Sequence, residues 1–84
     1  MNRLGFLILS ILNQNQAYNR IGGMTLKEIS DTEDFGYKEN TIYKQIRNFK
    51  ENKLVAVGAK EGKAITYYIT EKGREILRKE RAQE

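Results

Sequence analysis

A chain of 84 residues has room for one domain, 1–84, and a domain this small buries a limited share of its surface. It has no Cys, His, Trp or Pro, which removes disulfides, the usual transition-metal ligands, and Ser-His-Asp or Cys-His catalysis. The net charge of +4 is unevenly placed: residues 1–38 sum to zero and residues 39–84 carry all of it, a split that points toward a polyanionic partner.

The first predicted helix covers about residues 2–16, with Leu4, Leu7, Ile8, Ile11 and Leu12 forming one apolar stripe. Arg3 followed by the nine apolar-rich residues Leu4 to Leu12 imitates a signal peptide, but the run is far short of a membrane span. Asn13-Gln14-Asn15-Gln16 follows where a small-x-small cleavage site would stand, so the run reads as a core helix of a cytoplasmic protein. Phe6 and Leu9 fall opposite the stripe. Either another part of the chain or a second subunit must cover them, and the second subunit is the preferred reading.

The chain loosens from Tyr18 to Gly23. Thr25-Leu26-Lys27-Glu28 then forms a capping box that opens a second helix of about two turns, with Leu26 and Ile29 facing inward. Asp31 to Gly36 breaks it, Phe35 is placed to plug the core from the turn, and Gly36 supplies permissive backbone.

A third helix is expected over about 38–52, where Ile42, Ile46 and Phe49 make a single narrow stripe. Asn40, Lys44, Arg47 and Glu51 then point outward, with Thr41 and Tyr43 on the flanks. Leu54 to Val57 and Ala64 to Ile69 read as strands joined by a hairpin, Gly58-Ala59-Lys60-Glu61-Gly62-Lys63, with a basic tip. Thr70 caps a last short helix whose clear apolar pair is Ile76-Leu77, and the tail beyond Lys79 is polar.

Helix, strand, tight turn, strand, helix is the order of a winged helix-turn-helix: an α+β, mainly helical fold with a three-helix core, a two-stranded wing and a short final helix. A recognition helix must fit a major groove about 12 Å wide and present donors from its N-terminal half. Asn40, Lys44 and Arg47 meet that need, since Arg or Lys can address guanine O6 and N7, and Asn adenine N6 and N7. Each good bidentate contact is worth roughly 1–3 kcal/mol of discrimination. Thr41 and Tyr43 are placed for phosphate oxygens, Lys60 and Lys63 for flanking backbone or minor groove, and Lys38 for phosphate at the helix start. The bland reading of each feature is a solvated basic surface; the whole order in sequence is what lifts it.

Thr41-Ile42-Tyr43-Lys44, Phe49-Lys50-Glu51-Asn52-Lys53-Leu54-Val55 and Tyr67-Tyr68-Ile69-Thr70-Glu71-Lys72-Gly73-Arg74 resemble the recognition helix, following strand and wing end of PadR-type transcriptional regulators. MarR-type winged helices share a similar pattern. The resemblance covers roughly residues 4–80 and implies a homodimeric repressor on an inverted repeat, with Thr41, Tyr43, Lys44 and Arg47 at positions that often touch DNA. Two departures stand out. Lys53 replaces a common Gly, and the final helix is short where the family builds its dimer and sometimes a ligand pocket. The expected dimer contacts are therefore Phe6 and Leu9 with Ile76 and Leu77 alongside, and neither cofactor, metal nor small-molecule effector is expected. The alternative reading is a winged-helix protein-contact module with Glu28, Asp31, Glu33 and Asp34 as its working surface, or a DNA-binding component of a replication or plasmid-partition assembly. An enzyme is not expected: no phosphate-cradling glycine loop is present.

Overall fold

The computed structural model describes residues 1–32 and 36–82. Helix α1, Arg3–Gln14, starts where the Asn2 side chain accepts the Gly5 N–H at 2.7 Å. It ends in a Schellman motif: Gln16 N–H donates to the Asn13 carbonyl at 3.1 Å and Ala17 N–H to the Leu12 carbonyl at 2.9 Å. Gln16 holds the left-handed backbone that this motif needs, at φ 55°.

Burial on α1 exceeds its sequence stripe. Ile8, Leu9, Ile11 and Leu12 are all buried, because the three later helices and the last strand pack around the helix. This corrects the expectation for Leu9, which has no exposed surface and belongs to the core of a single chain. Ser10 is drawn inside with its neighbours, and its hydroxyl is buried with no hydrogen-bond partner.

Strand β1, Met24–Thr25, was not foreseen. Thr25 ends the strand and caps helix α2, Leu26–Ser30: its Oγ1 accepts the Glu28 N–H at 3.1 Å while Glu28 Oε1 accepts the Thr25 N–H at 2.9 Å. At five residues α2 is shorter than the expected two turns. Lys27 pairs with Asp31 at 3.0 Å along it. The proposed plug, Phe35, lies outside the described residues, as do Glu33 and Asp34 of the acidic cluster.

Helix α3, Glu39–Glu51, buries only Ile42, Ile46 and Phe49, the stripe expected of it. Its C-terminus is a second Schellman motif, with Lys53 N–H on the Lys50 carbonyl at 3.0 Å and Leu54 N–H on the Phe49 carbonyl at 2.9 Å. Lys53 occupies the left-handed position at φ 62°. The buried pair Phe49 and Leu54 supplies the hydrophobic contact that accompanies this turn.

Strands β2, Val55–Val57, and β3, Thr66–Ile69, pair antiparallel with Ala56 opposite Tyr68, and β1 adds to the other edge of β3 with Met24 opposite Tyr67. The sheet order is β1-β3-β2. Between β2 and β3 the hairpin closes on Glu61 and Ala64, which exchange N–H···O bonds of 2.9 and 3.0 Å across Gly62-Lys63. Gly62 at φ 64° takes the first central position, as a type II′ turn requires.

Helix α4, Glu71–Ala82, is capped by Thr70, whose Oγ1 accepts the Gly73 N–H at 3.0 Å and donates to the Lys53 carbonyl at 2.7 Å. The Thr70 N–H donates to the Leu54 carbonyl, and Lys72 Nζ reaches the Asn52 carbonyl at 3.2 Å. The last carbonyls of the α3 turn are thus satisfied by the start of α4. Close seating is possible because residue 73 is Gly: a Cβ there would stand 2.2 Å from the Leu54 oxygen. Laid against α1, the helix buries Leu77, which is 2% exposed. Leu77 is therefore also corrected from a dimer contact to a core residue, and both corrections have one cause: α4 covers the second face of α1. Phe6 and Ile76 are half-buried at the margin of the same packing.

Candidate nucleic-acid interface

The narrow stripe of α3 leaves most of that helix bare. Asn40, Thr41, Tyr43, Lys44 and Arg47 are all exposed, and among the described residues none of these side chains makes a hydrogen bond or ion pair within the chain. A 3.6-residue period puts Asn40, Lys44 and Arg47 in one row. Lys38 is exposed at the N-cap of α3 and makes no side-chain cap bond, and among the described residues no side chain accepts from the first free backbone N–H groups of the helix.

Two grooves run beside this row. One, of about 410 Å³, lies between α2, α3 and the hairpin, with Tyr43, Lys63, Lys27, Ile65 and Tyr67 among its lining. It brings the hairpin tip and the flank of α3 to one concavity. The other, of about 710 Å³, holds Thr41 and Lys44 against Gln45, Asn48, Asn2 and Ile76. Asn40 and Arg47 line neither groove and stand on the crest between them. Lys60 is exposed on the ascending side of the hairpin, apart from both grooves.

Within this region burial, and then the neighbouring Tyr43, push the Tyr67 phenol above the usual tyrosine range. Lys27 is also raised, first by its hydrogen bond to Asp31 and next by that carboxylate's charge. Among the described residues the ion pairs are Lys27–Asp31 and the Met1 amine with Glu80, so Lys38, Lys44, Arg47, Lys60 and Lys63 keep uncompensated charge. The acidic cluster offers less than the sequence suggested: Glu28 is committed to its capping box and Asp31 to Lys27. No group of three or more acidic side chains among the described residues could hold a metal ion.

Gln45, Asn48, Lys27 and Ile65 were missed as neighbours of the candidate surface. Asn48 could have been found from its spacing, one turn after Lys44 and two after Thr41. Lys27 and Ile65 could not, because they arrive from other elements.

No family model matches the chain, and no curated protein matches it. Solved structures do. TubR from Bacillus megaterium pBM400 superposes with a TM-score of 0.75 at 21% identity, over 89% of this chain and 80% of that one. The structure of the S. aureus MepR-DNA complex gives a TM-score of 0.75 at 15% identity, over 98% of this chain and 63% of that one. The DNA-binding TubR fragment from Clostridium botulinum gives 0.74 at 28% identity, over 94% of this chain and 95% of that one. The chain therefore has the winged-helix fold of these proteins, with the β2–β3 hairpin as its wing.

Proposed function

We propose that the chain is a sequence-specific duplex DNA-binding transcriptional regulator, a cytoplasmic, non-enzymatic homodimer that represses by occupying an inverted repeat. Helix α3 enters the major groove with Asn40, Lys44 and Arg47 toward base edges and Thr41 and Tyr43 toward phosphates. Lys60 and Lys63 reach flanking backbone or minor groove, and Lys38 meets phosphate at the helix start. The observation that carries this reading is the crest of α3: exposed, rich in donors, and with no hydrogen-bond or ion-pair partner among the described residues. The DNA-binding fragment at 28% identity and the neighbour solved on DNA support it. The PadR-type likeness gains from Lys53, whose left-handed backbone is the conformation that the family's common Gly adopts freely.

For the dimer, Phe6 and Ile76 remain the candidate contacts.

Selection of bound genomic fragments tests the whole reading, with a two-fold symmetric enriched motif expected. Affinity should fall with salt at about −0.9 in log–log slope per phosphate neutralised. Lys44→Ala and Arg47→Ala should relax base preference, and Lys63→Ala should weaken all sequences alike. Uniform loss from both kinds of variant would refute the groove assignment. Sedimentation of wild type against Phe6→Glu tests the dimer. A monomeric wild type at micromolar concentration removes the inverted repeat.

A further inference from the structure

On the far side of α4 from the Thr41–Lys44 groove lies a separate pocket of about 220 Å³, lined by Asn13, Tyr18, Arg74, Leu77, Arg78 and Arg81. We propose that it is a binding site for a phosphate group. No residue of α3 or of the hairpin lines it, so it stands apart from the DNA-binding reading.

Three observations carry the assignment. First, the arginines are spaced four and three residues apart on α4, which aims them to one side of the helix, and among the described residues no carboxylate lines the pocket. None of the three takes part in an ion pair among the described residues. Second, Arg74 is fixed before any ligand arrives. Its guanidinium lies 4.6 Å from the centre of the Tyr18 ring, and the Tyr18 hydroxyl is itself held by the Asn13 backbone and side-chain oxygens at 3.1 and 3.2 Å. Third, the Arg74 Nε is buried with no hydrogen-bond partner. A cationic N–H withdrawn from water without an acceptor is unfavourable, and an oxyanion in the pocket would remove that penalty.

The helix dipole does not explain the cluster. Cations near a helix C-terminus are favoured, which suits Arg78 and Arg81, but Arg74 is the fourth residue of α4, at the end where a cation is disfavoured. The pocket is below the size of most cofactor sites, so a single phosphate group fits better than a whole nucleotide. Arginine's planar fork suits phosphate oxygens bidentately. That group can come from a phosphorylated small molecule or from a nucleic-acid backbone.

The test follows the Arg74 Nε–H resonance of ¹⁵N-labelled protein during titration with inorganic phosphate at constant ionic strength, with chloride as the balancing anion. The expected result is a saturable shift that weakens by about tenfold or more in the double variant Arg78→Gln, Arg81→Gln, both positions being exposed. A second arm compares the salt dependence of duplex binding in wild type and double variant. A smaller slope in the variant assigns the site to the DNA backbone; an unchanged slope assigns it to a free phosphorylated ligand. A response that stays linear in phosphate, or is the same in wild type and double variant, overturns the proposal.

Discussion

Replacing Lys53 by Gly should stabilise this protein, and the size of the gain can be worked from one backbone angle. Lys53 sits at φ 62° as the left-handed residue of the Schellman motif that ends α3, with both motif hydrogen bonds formed. A residue with a Cβ gives up roughly 1–2 kcal/mol in that conformation. Glycine removes that strain but returns roughly 0.4–1 kcal/mol through the greater freedom of the unfolded chain. The net is about 0.8 kcal/mol in favour of Lys53→Gly. For 84 residues, at about 2.1 cal/mol/K of unfolding entropy per residue, this raises Tm by about 4–5 °C. Circular-dichroism melts at one fixed protein concentration measure it, since an oligomer's Tm depends on concentration. Lys53→Ala is the control: it removes the charge, keeps the Cβ, and should stay within about 0.5 kcal/mol of wild type. If Ala stabilises as much as Gly, charge rather than backbone is responsible. If Gly is neutral or destabilising, the strain argument fails. Gln16→Gly, at φ 55° in the matching turn of α1, should behave the same way. The two gains should add to within about 0.5 kcal/mol, because the turns share no hydrogen bond.

Gly73→Ala should destabilise by at least about 2 kcal/mol in urea unfolding, since its Cβ would press on the Leu54 backbone oxygen at 2.2 Å; a change under about 0.5 kcal/mol would refute the close seating of α4. Ser10→Ala should raise stability by about 1 kcal/mol by removing a buried hydroxyl that has no partner, and a loss of stability would mean that the hydroxyl is bonded. Because folding raises the Tyr67 pKa, the unfolded chain releases that proton first, so stability is fully present below the ordinary tyrosine value and falls as pH rises beyond about 10. Urea midpoints at neutral and alkaline pH should therefore diverge less for Tyr67→Phe than for wild type.

What the sequence could disclose was whatever is local. The Thr25–Glu28 capping box, the stripe of α3 and the Thr70 cap each depend on residues within a turn or two, and each stands in the structure. Strand β1 was invisible because two residues show no alternation; Met24 and Thr25 are a strand only through pairing with Tyr67 and Thr66, far along the chain. The misassignment of Leu9 and Leu77 has the same origin. A helical wheel reports that a second apolar face exists but not what covers it, and here it is α4. The outward row of α3 was legible from periodicity, whereas the grooves on either side needed the approach of α2, the hairpin and α1. Lys53 lies between these cases. Its departure from a common Gly could be seen, but its left-handed backbone could not.

The charge pattern also gains a meaning in three dimensions that it lacked in one. The excess of cations after residue 38 looks like a single footprint along the sequence. Folding divides it. Lys44, Arg47, Lys60 and Lys63 belong to α3 and the hairpin, while Arg74, Arg78 and Arg81 line the pocket with Tyr18 on the other side of α4. One rigid duplex meeting the crest of α3 has no reason to neutralise both groups. A salt slope measured on a short operator should then reflect the first group alone, and the slope should be indifferent to the Arg78 and Arg81 substitutions unless DNA reaches around to α4. Net charge thus points toward a polyanionic partner, but how many phosphates one partner can engage depends on which side of α4 each cation occupies.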